Sequence, residues 1–347
     1  MAEEKKNLLV TGCSGRLGTS ILETFSDEYR VIGLDIVKPE EMSEAEDYYY
    51  MDIGNDTSVK NVLRHIYEKY GNKIASVINL AAYYSFSKQD WDLYKKITIN
   101  GTKRLLDHLE PFEIEQFIFS STQLVYAPCK PGEKIDEESS IKPEWAYPKS
   151  KVITEKEILD RHGDIPVCIL RIAGVYDDEC RSIPLSQQIK RIYENQLQKH
   201  FFPGNVNHGD PFLHMDDFIA ALKKTVEKRG DLPNECILVL GEPKTYSYDQ
   251  LQRRFGELIL GKEFTTYRVP KWAAKIGSWV QNSLPFFPEP FIKPWMIDFA
   301  DDHYELDISK SRKMIDWEPK KNVIDTLPKM VESLKKDPEE WYKEHDL

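Results

Sequence analysis

The sequence predicts an α/β protein built on a doubly wound parallel sheet, with a smaller, mostly helical C-terminal domain. Three observations predict it. Short runs apolar on both faces alternate with amphipathic stretches, as strands covered by helices on both sides require. Three glycines, Gly12, Gly15 and Gly18, directly follow the first such run and open the first helical stretch. After Tyr176 the alternation stops and helical periodicity dominates.

The elements follow in order. Asn7 to Val10 reads as a strand and Gly15 to Phe25 as a helix. Arg30 to Asp35 and Asp47 to Asp52 are strands, and Val59 to Tyr70 is a helix presenting Val62, Leu63, Ile66 and Tyr67 on one face. Ile74 to Leu80 (strand), Trp91 to Leu109 (helix), Gln116 to Ser121 (strand), Trp145 to Arg161 (helix) and Val167 to Arg171 (strand) complete the alternation. Beyond it, Leu185 to Gln198 is helical, 201–210 a loop, Asp216 to Lys228 a helix and Cys236 to Leu240 one more strand. Helices over Tyr248 to Leu260, Lys271 to Val280, Ser309 to Ile315 and Val323 to Leu334 surround a proline- and aromatic-rich stretch, Leu284 to Trp295. The division expected is 1–175 with 212–242 returning to it, 176–211 with 243–335, and a solvated charged tail, 336–347.

Composition narrows the function. Among 347 residues, 47 Lys and Arg face 58 Asp and Glu, a net charge of −11 that argues against a nucleic-acid binder. No run approaches the roughly 20 apolar residues a spanning helix needs, so no membrane partner is expected. The N-terminal residues carry no secretory core, and five scattered cysteines form neither a disulfide framework nor a C-x-x-C metal pair. The expectation is a cytoplasmic protein without a metal. His200, His208 and His214 with Asp216 and Asp217 fit no compact ligand spacing.

The glycines carry the first chemistry. A strand–glycine turn–helix junction lets backbone N–H groups approach a pyrophosphate, whose charge sits at the positive helix end. Asp35 ends the second strand, where its carboxylate can accept from ribose hydroxyls and repel a 2′-phosphate. NAD is therefore expected over NADP, although Arg16, in the turn, could host such a phosphate.

With these residues in view, the chain resembles the extended short-chain dehydrogenase/reductase family, also called the NAD-dependent epimerase/dehydratase family. Thr11 to Gly18 looks like its T-G-x-x-G-x-x-G motif on a Rossmann sheet, and Asp52-Ile53 matches where it holds adenine. Asn79-Leu80-Ala81-Ala82 resembles its fourth-strand segment, with Asn79 in place of His; Asn100-Gly101-Thr102 is similar to N-x-x-G-T, one or two residues short. Leu170 to Tyr176, His214 to Asp217, and Asp307 to Lys310 followed by Trp317-Glu318-Pro319 match further segments in family order. The resemblance implies cofactor contacts from Gly12, Ser14, Gly15, Arg16, Leu17, Gly18, Asp35, Asp52, Ile53, Leu80, Ala81, Ala82, Asn100, Tyr147 and Lys151. It also implies a homodimer built on the helices around Trp91–Leu109 and Trp145–Arg161.

Tyr147 and Lys151 stand at i and i+4, one face of a helix. Bringing a phenol from pH ~10 to ~7 needs about 4 kcal/mol. A lysine ammonium about 6 Å away supplies roughly 3 kcal/mol at an effective dielectric of ~20. With the positive nicotinamide the sum makes Tyr147 a base near neutrality. Ser120 to Tyr126 resembles the family's S-S-(S/T)-x-x-V-Y segment, which implies that the Thr122 hydroxyl bonds the reacting oxygen. The catalytic set is thus Thr122, Tyr147 and Lys151.

Gln123-Leu124 stands where family dehydratases carry Asp-Glu, which argues against elimination of water. Arginines that clamp a diphosphate in nucleotide-sugar members are replaced, with Asp210 before His214 and Asp298, Asp301 and Asp302 before Asp307. Arg181, Lys190, Arg191 or Lys293 would have to swing in. The reading is hydride transfer at a secondary alcohol or ketone of a sugar, with a nucleotide-sugar epimerase favoured. The alternatives are a dehydrogenase or reductase of a non-nucleotide sugar, sugar acid or other small hydroxyl or carbonyl compound, and then a non-catalytic NAD-binding regulator.

Overall fold

The computed structural model describes residues 5–39, 46–85, 89–283, 292–345 and 347. Its strands are β1 (Asn7–Thr11), β2 (Arg30–Asp35), β3 (Glu46–Tyr50), β4 (Lys73–Asn79), β5 (Glu113–Ile114), β6 (Phe117–Thr122), β7 (Val167–Ile172), β8 (Gly174–Tyr176), β9 (Phe201–Pro203), β10 (Phe212–His214), β11 (Glu235–Leu240) and β12 (Tyr267–Val269). The main sheet is parallel throughout and runs β11-β7-β6-β4-β1-β2-β3, with β5 pairing β4. Winding reverses between β1 and β4. Doubly wound sheets open a ligand crevice at such a point, beyond the carboxyl ends of the strands.

The helices are α1 (Arg16–Phe25), α2 (Asp56–Tyr70), α3 (Trp91–Leu93), α4 (Asn100–Leu109), α5 (Ala146–Arg161), α6 (Ile183–Tyr193), α7 (Met215–Glu227), α8 (Tyr248–Leu260), α9 (Lys271–Ser283), α10 (Ser309–Ile315), α11 (Val323–Lys336) and α12 (Pro338–Glu344). Side chains alternate across each strand, so the sheet feeds two cores. Leu8 and Val10 pack with Ile21, Leu22 and Phe25 of α1 and Phe218, Leu222 and Val226 of α7. Leu9, Ile32 and Val77 pack with Val59, Leu63 and Ile66 of α2, Leu105 and Leu109 of α4 and Ile158 of α5. Each such side chain contributes about 1.5–3 kcal/mol when fully buried.

A third core joins Tyr176, Leu185, Ile189, Leu251, Phe255, Leu327, Met330 and Trp341. The segment containing Tyr304, Leu306, Ile308, Ile315 and Trp317 instead packs under the sheet with Leu170 and Leu238.

Four differences from the sequence reading have physical causes. The two-stranded pairs β8–β10 and β9–β12 hold three residues per strand, too few for a period to show. The expected helix Trp91–Leu109 is interrupted by a π-helical turn, Tyr94–Ile99, in which the Asn100 N–H reaches back five residues to the Lys95 carbonyl. The helix expected over Leu185 to Gln198 ends at Tyr193, and Leu197–His200 forms a separate 3-10 turn. The charged tail is not simply solvated. α12 docks through Trp341, which is 2% exposed, donates from Nε1 to the Glu179 carbonyl (3.1 Å) and stacks on His345. Most of the aromatic stretch, Leu284 to Phe291, lies outside the described residues.

Glu242 ties these layers together. Buried at 1% exposure, it accepts from the Tyr176 hydroxyl (2.8 Å) and the Val323 N–H (3.0 Å). Burial pushes its carboxyl up to about 7, against the opposing effect of those two donors. Below its unfolded value the acid is protonated in both states. Between that value and about 7 only the folded form holds the proton, so stability falls as pH rises through this window. Glu242→Gln is expected to flatten this part of the pH dependence of urea unfolding between pH 5 and 7.

Candidate active site

The cofactor-side residues converge on the winding reversal. Gly12 follows β1 with a positive φ of 72°, and a Cβ there would lie 2.9 Å from the Ala81 nitrogen. Gly18 packs α1 onto the turn so closely that a Cβ would sit 2.6 Å from the Cys13 Cα and overlap the Gly12 carbonyl oxygen. Gly15 is the N-cap of α1 and supplies no side-chain cap, leaving the first-turn amides open to an anion. This turn fits a pyrophosphate.

Asp35 at the end of β2 accepts from the Ser14 N–H (3.0 Å) and the Ile36 N–H (2.7 Å), which fixes the carboxylate beside the glycine turn. The Ser14 hydroxyl bonds the Val37 carbonyl. Arg16 donates to the Val175 carbonyl (3.0 Å) of β8, so its guanidinium is engaged there. Asp52 accepts from the Gly54 N–H (2.8 Å), and Ile53 is buried where a Cβ on Gly101 would meet it at 3.1 Å.

Beneath the crevice runs a buried polar chain. The Thr11 hydroxyl donates to Asn79 Oδ1 (2.7 Å), Asn79 Nδ2 donates to the Thr102 hydroxyl (3.0 Å), and that hydroxyl donates to the Thr98 carbonyl (2.8 Å). The Ala81 N–H also bonds the Thr11 hydroxyl (3.2 Å), so Leu80, Ala81 and Ala82 are held against the glycine turn. An asparagine serves here because it donates and accepts along one line. Asn100 begins α4 immediately after the π-helical turn.

Thr122, Tyr147 and Lys151 meet at the carboxyl end of β6. The Thr122 hydroxyl accepts from the Leu124 N–H (3.3 Å) and hydrogen-bonds the Tyr147 phenol. Lys151 is 3% exposed; its Nζ donates to the Ser120 carbonyl (2.7 Å) and lies 4.7 Å from the Phe119 ring centroid and 5.7 Å from that of Tyr147. The Tyr147 ring stands among aromatic neighbours, with centroids of Tyr84 at 4.9 Å, Trp145 at 5.4 Å and Tyr94 at 6.4 Å.

The electrostatics differ from the expectation of a fixed ammonium sharpening a phenol. Burial pushes the Tyr147 phenol above its ordinary range, opposed by the Thr122 hydrogen bond. Burial also brings Lys151 down to about 7, opposed by Glu155. In the ligand-free protein desolvation therefore shifts both groups toward their uncharged forms.

Sequence reading missed the partners of this pair. Glu155, one turn beyond Lys151, is buried against Arg171 of β7, with Oε2 2.8 Å from Nη2 and Oε1 3.2 Å from Nε. Arg171 also donates to the Tyr126 hydroxyl (2.8 Å), which makes Tyr126 a packed structural aromatic. Spacing alone signalled only that Tyr147, Lys151 and Glu155 share a helix face.

Beside Tyr147 a cavity of about 470 Å³ is lined by Gln89, Trp91, Glu144, Trp145, Lys149, Trp295 and Phe299, among other residues. Glu144 is also close to Asp302, whose carboxyl burial pushes up to about 7, with Glu144 and Asp210 adding to the effect. Arg181, one of the cations that could swing in, is paired with Asp177 and Glu179.

The remaining singled-out groups are structural. His214 caps α7 by accepting from the Asp216 N–H (3.1 Å), and Asp217 accepts from the Lys320 and Lys321 N–H groups at 2.9 Å each. No cluster of metal-ligating side chains occurs among the described residues. Burial raises the thiols of Cys129 and Cys180, which keeps both protonated.

With this geometry in place, comparison with known proteins is informative. The sequence profile of the NAD dependent epimerase/dehydratase family matches residues 8–241. UDP-glucuronate 4-epimerase of Thermodesulfobacterium geofontis is 24% identical over 343 residues, covering 93% of this chain and 94% of that protein. Among solved structures, dTDP-glucose 4,6-dehydratase of Bacillus anthracis in complex with NAD superposes with a TM-score of 0.73 at 19% identity, covering 97% of this chain and 99% of that one. UDP-glucuronic acid 4-epimerase of Bacillus cereus, in complex with UDP-glucuronic acid and NAD, gives 0.72 at 20% identity, covering 95% and 99%. The profile match extends from β1 to the end of β11, the whole of the parallel sheet, and the chain belongs to the NAD dependent epimerase/dehydratase family.

Proposed function

We propose that the protein is an NAD-dependent epimerase acting on a secondary alcohol of a nucleotide-linked sugar, with Thr122, Tyr147 and Lys151 as its catalytic residues. The observation that carries this reading is the meeting of a hydroxyl, a phenol and a buried amine at the end of β6, in the crevice that the glycine turn also borders. The relative that is a UDP-glucuronate 4-epimerase over nearly its whole length supports it.

Each residue has a distinct task. Gly12, Gly15 and Gly18 close the turn so that the first-turn amides of α1 face the pyrophosphate, Asp35 accepts from ribose hydroxyls, and Asp52, Ile53, Leu80, Ala81, Ala82 and Asn100 line the rest of the cofactor cleft. Ser14, Arg16 and Leu17 complete the turn. Thr122 orients the substrate hydroxyl, Tyr147 takes its proton, and Lys151 holds the nicotinamide ribose and shares the charge left on the phenol oxygen. The cleft residues would hold NAD, which when bound would supply reversible hydride exchange at the adjacent carbon, with hydride return to the opposite face of the ketone. Tyr147 then gives the proton back, so the sugar leaves inverted at one centre and no net oxidation occurs.

A homodimer on the faces of α3, α4 and α5 belongs to this proposal, where Trp91 and Ile153 are exposed. So does a reducing cytoplasmic setting, supported by five free cysteines.

A second reading is favoured by the carboxylates Glu144, Asp210 and Asp302 on the substrate side, which would repel a diphosphate. It makes the protein a dehydrogenase of a non-nucleotide sugar or small polyhydroxy compound. One experiment separates the two. An epimerase is expected to release NAD on denaturation after purification and to interconvert UDP-glucuronic acid or UDP-glucose with its 4-epimer without added cofactor. Absence of bound NAD, together with NADH absorbance appearing only when free NAD and a non-nucleotide sugar are supplied, would replace the first reading with the second.

A further inference from the structure

The buried pair Glu155–Arg171 touches neither the crevice nor the cavity, yet it surrounds the anchor of Lys151. Glu155 Oε1 accepts from the Ser121 hydroxyl as well as from Arg171, and the preceding residue, Ser120, offers the carbonyl that holds Lys151 Nζ at 2.7 Å. Arg171 is fixed in turn by the Tyr126 hydroxyl (2.8 Å) and the Glu137 carbonyl (3.2 Å). Glu155 and Arg171 are each only 5% exposed.

Among the described residues, the groups that face Lys151 are few. Helix α5 contributes Tyr147 and Glu155. Strand β6 contributes the Phe119 ring and the Ser120 carbonyl, neither of which titrates. The π-helical turn contributes Tyr94, next to Tyr147. β7 contributes Arg171 through Glu155. Glu155 is thus the carboxylate that favours the ammonium form, and Arg171, its ion-pair partner, carries the opposite charge.

We infer that Glu155 is a positioning residue that sets how readily Lys151 carries its proton, with Arg171 trimming the strength of that influence. A pair with a merely structural role would brace β6 on α5 and leave Lys151 indifferent to which partner is charged. The two roles predict different signs. Removing the Glu155 charge withdraws a nearby attraction and makes the ammonium harder to hold. Removing Arg171 as well withdraws a repulsion and gives part of that back.

The functional consequence rests on the reading of Lys151 given above, but the test does not. Lysine labelled with 13C at the ε carbon would be followed by NMR against pH in the ligand-free full chain, with Lys151→Met identifying the signal. Glu155→Gln keeps the shape of the side chain and is expected to lower the Lys151 midpoint by roughly half to one pH unit. The double variant Glu155→Gln/Arg171→Met leaves no unpaired buried charge, so it also covers the case in which the single variant folds poorly. Its midpoint is expected between those of the single variant and the parent, or between the parent's and a still lower value if only the double variant folds. A Lys151 midpoint unmoved by Glu155→Gln, or one lying lower in the double variant than in the single, would overturn the inference. So would an unmoved midpoint in the double variant when the single does not fold.

Discussion

Tyr147→Phe is expected to lower turnover by about 10²–10⁴-fold, the usual contribution of a positioned acid–base group, while NAD affinity changes little. The substitution deletes one oxygen whose partner is the Thr122 hydroxyl and leaves the ring among Tyr84, Tyr94 and Trp145. The glycine turn, Asp35 and the Ala81 segment are untouched, so binding measured by calorimetry should stay within a few-fold of the parent. Loss of one hydrogen bond should cost no more than about 1.5 kcal/mol of stability. Turnover preserved in this variant would remove the phenol from the reaction and end the proposed mechanism.

Gly18→Ala is expected to do the opposite, weakening NAD binding at least tenfold with the catalytic residues intact. A methyl group at this position meets the Cys13 Cα at 2.6 Å and the Gly12 carbonyl, both of them backbone that no rotamer change can move. Relief requires α1 to back away from the turn, which displaces the amides that face the pyrophosphate. Overpacking of this kind typically costs about 1–3 kcal/mol, so the urea midpoint should fall as well. Unchanged affinity and midpoint would mean that the close approach of α1 to the turn is not what the cofactor requires.

How far the sequence reveals this protein depends on whether the determining signal is local. β1, the three glycines and α1 are legible because strand, turn and helix each leave a pattern within a dozen residues. The Tyr147–Lys151 pair is legible as spacing, but its charge state is not. That state follows from the Phe119 ring and the loss of water around Lys151, which only the assembled β6–α5 contact creates. Glu155 and Arg171 lie on different elements and acquire meaning only once β7 is laid beside β6. The strands of β9 and β12 are three residues long and 60-odd positions apart, so neither could be inferred without the other. Trp341 misleads for another reason: one anchoring aromatic in a charged run is outvoted by its neighbours in any compositional reading, though its burial helps dock α12.

The way the chain threads its cores limits how the molecule can breathe. Among the described residues it leaves the core under the sheet for the helical core after Ala173, returns after Phe212, leaves again after Leu240, returns after Phe255 and departs finally after Trp317, five passages. A hinge made of one linker swings freely, whereas five parallel tethers must bend together. Wide opening and shutting of the crevice is expected to be suppressed. On the epimerase proposal, reorientation between the two half-reactions is then expected to fall to the small molecule rather than to the walls around it.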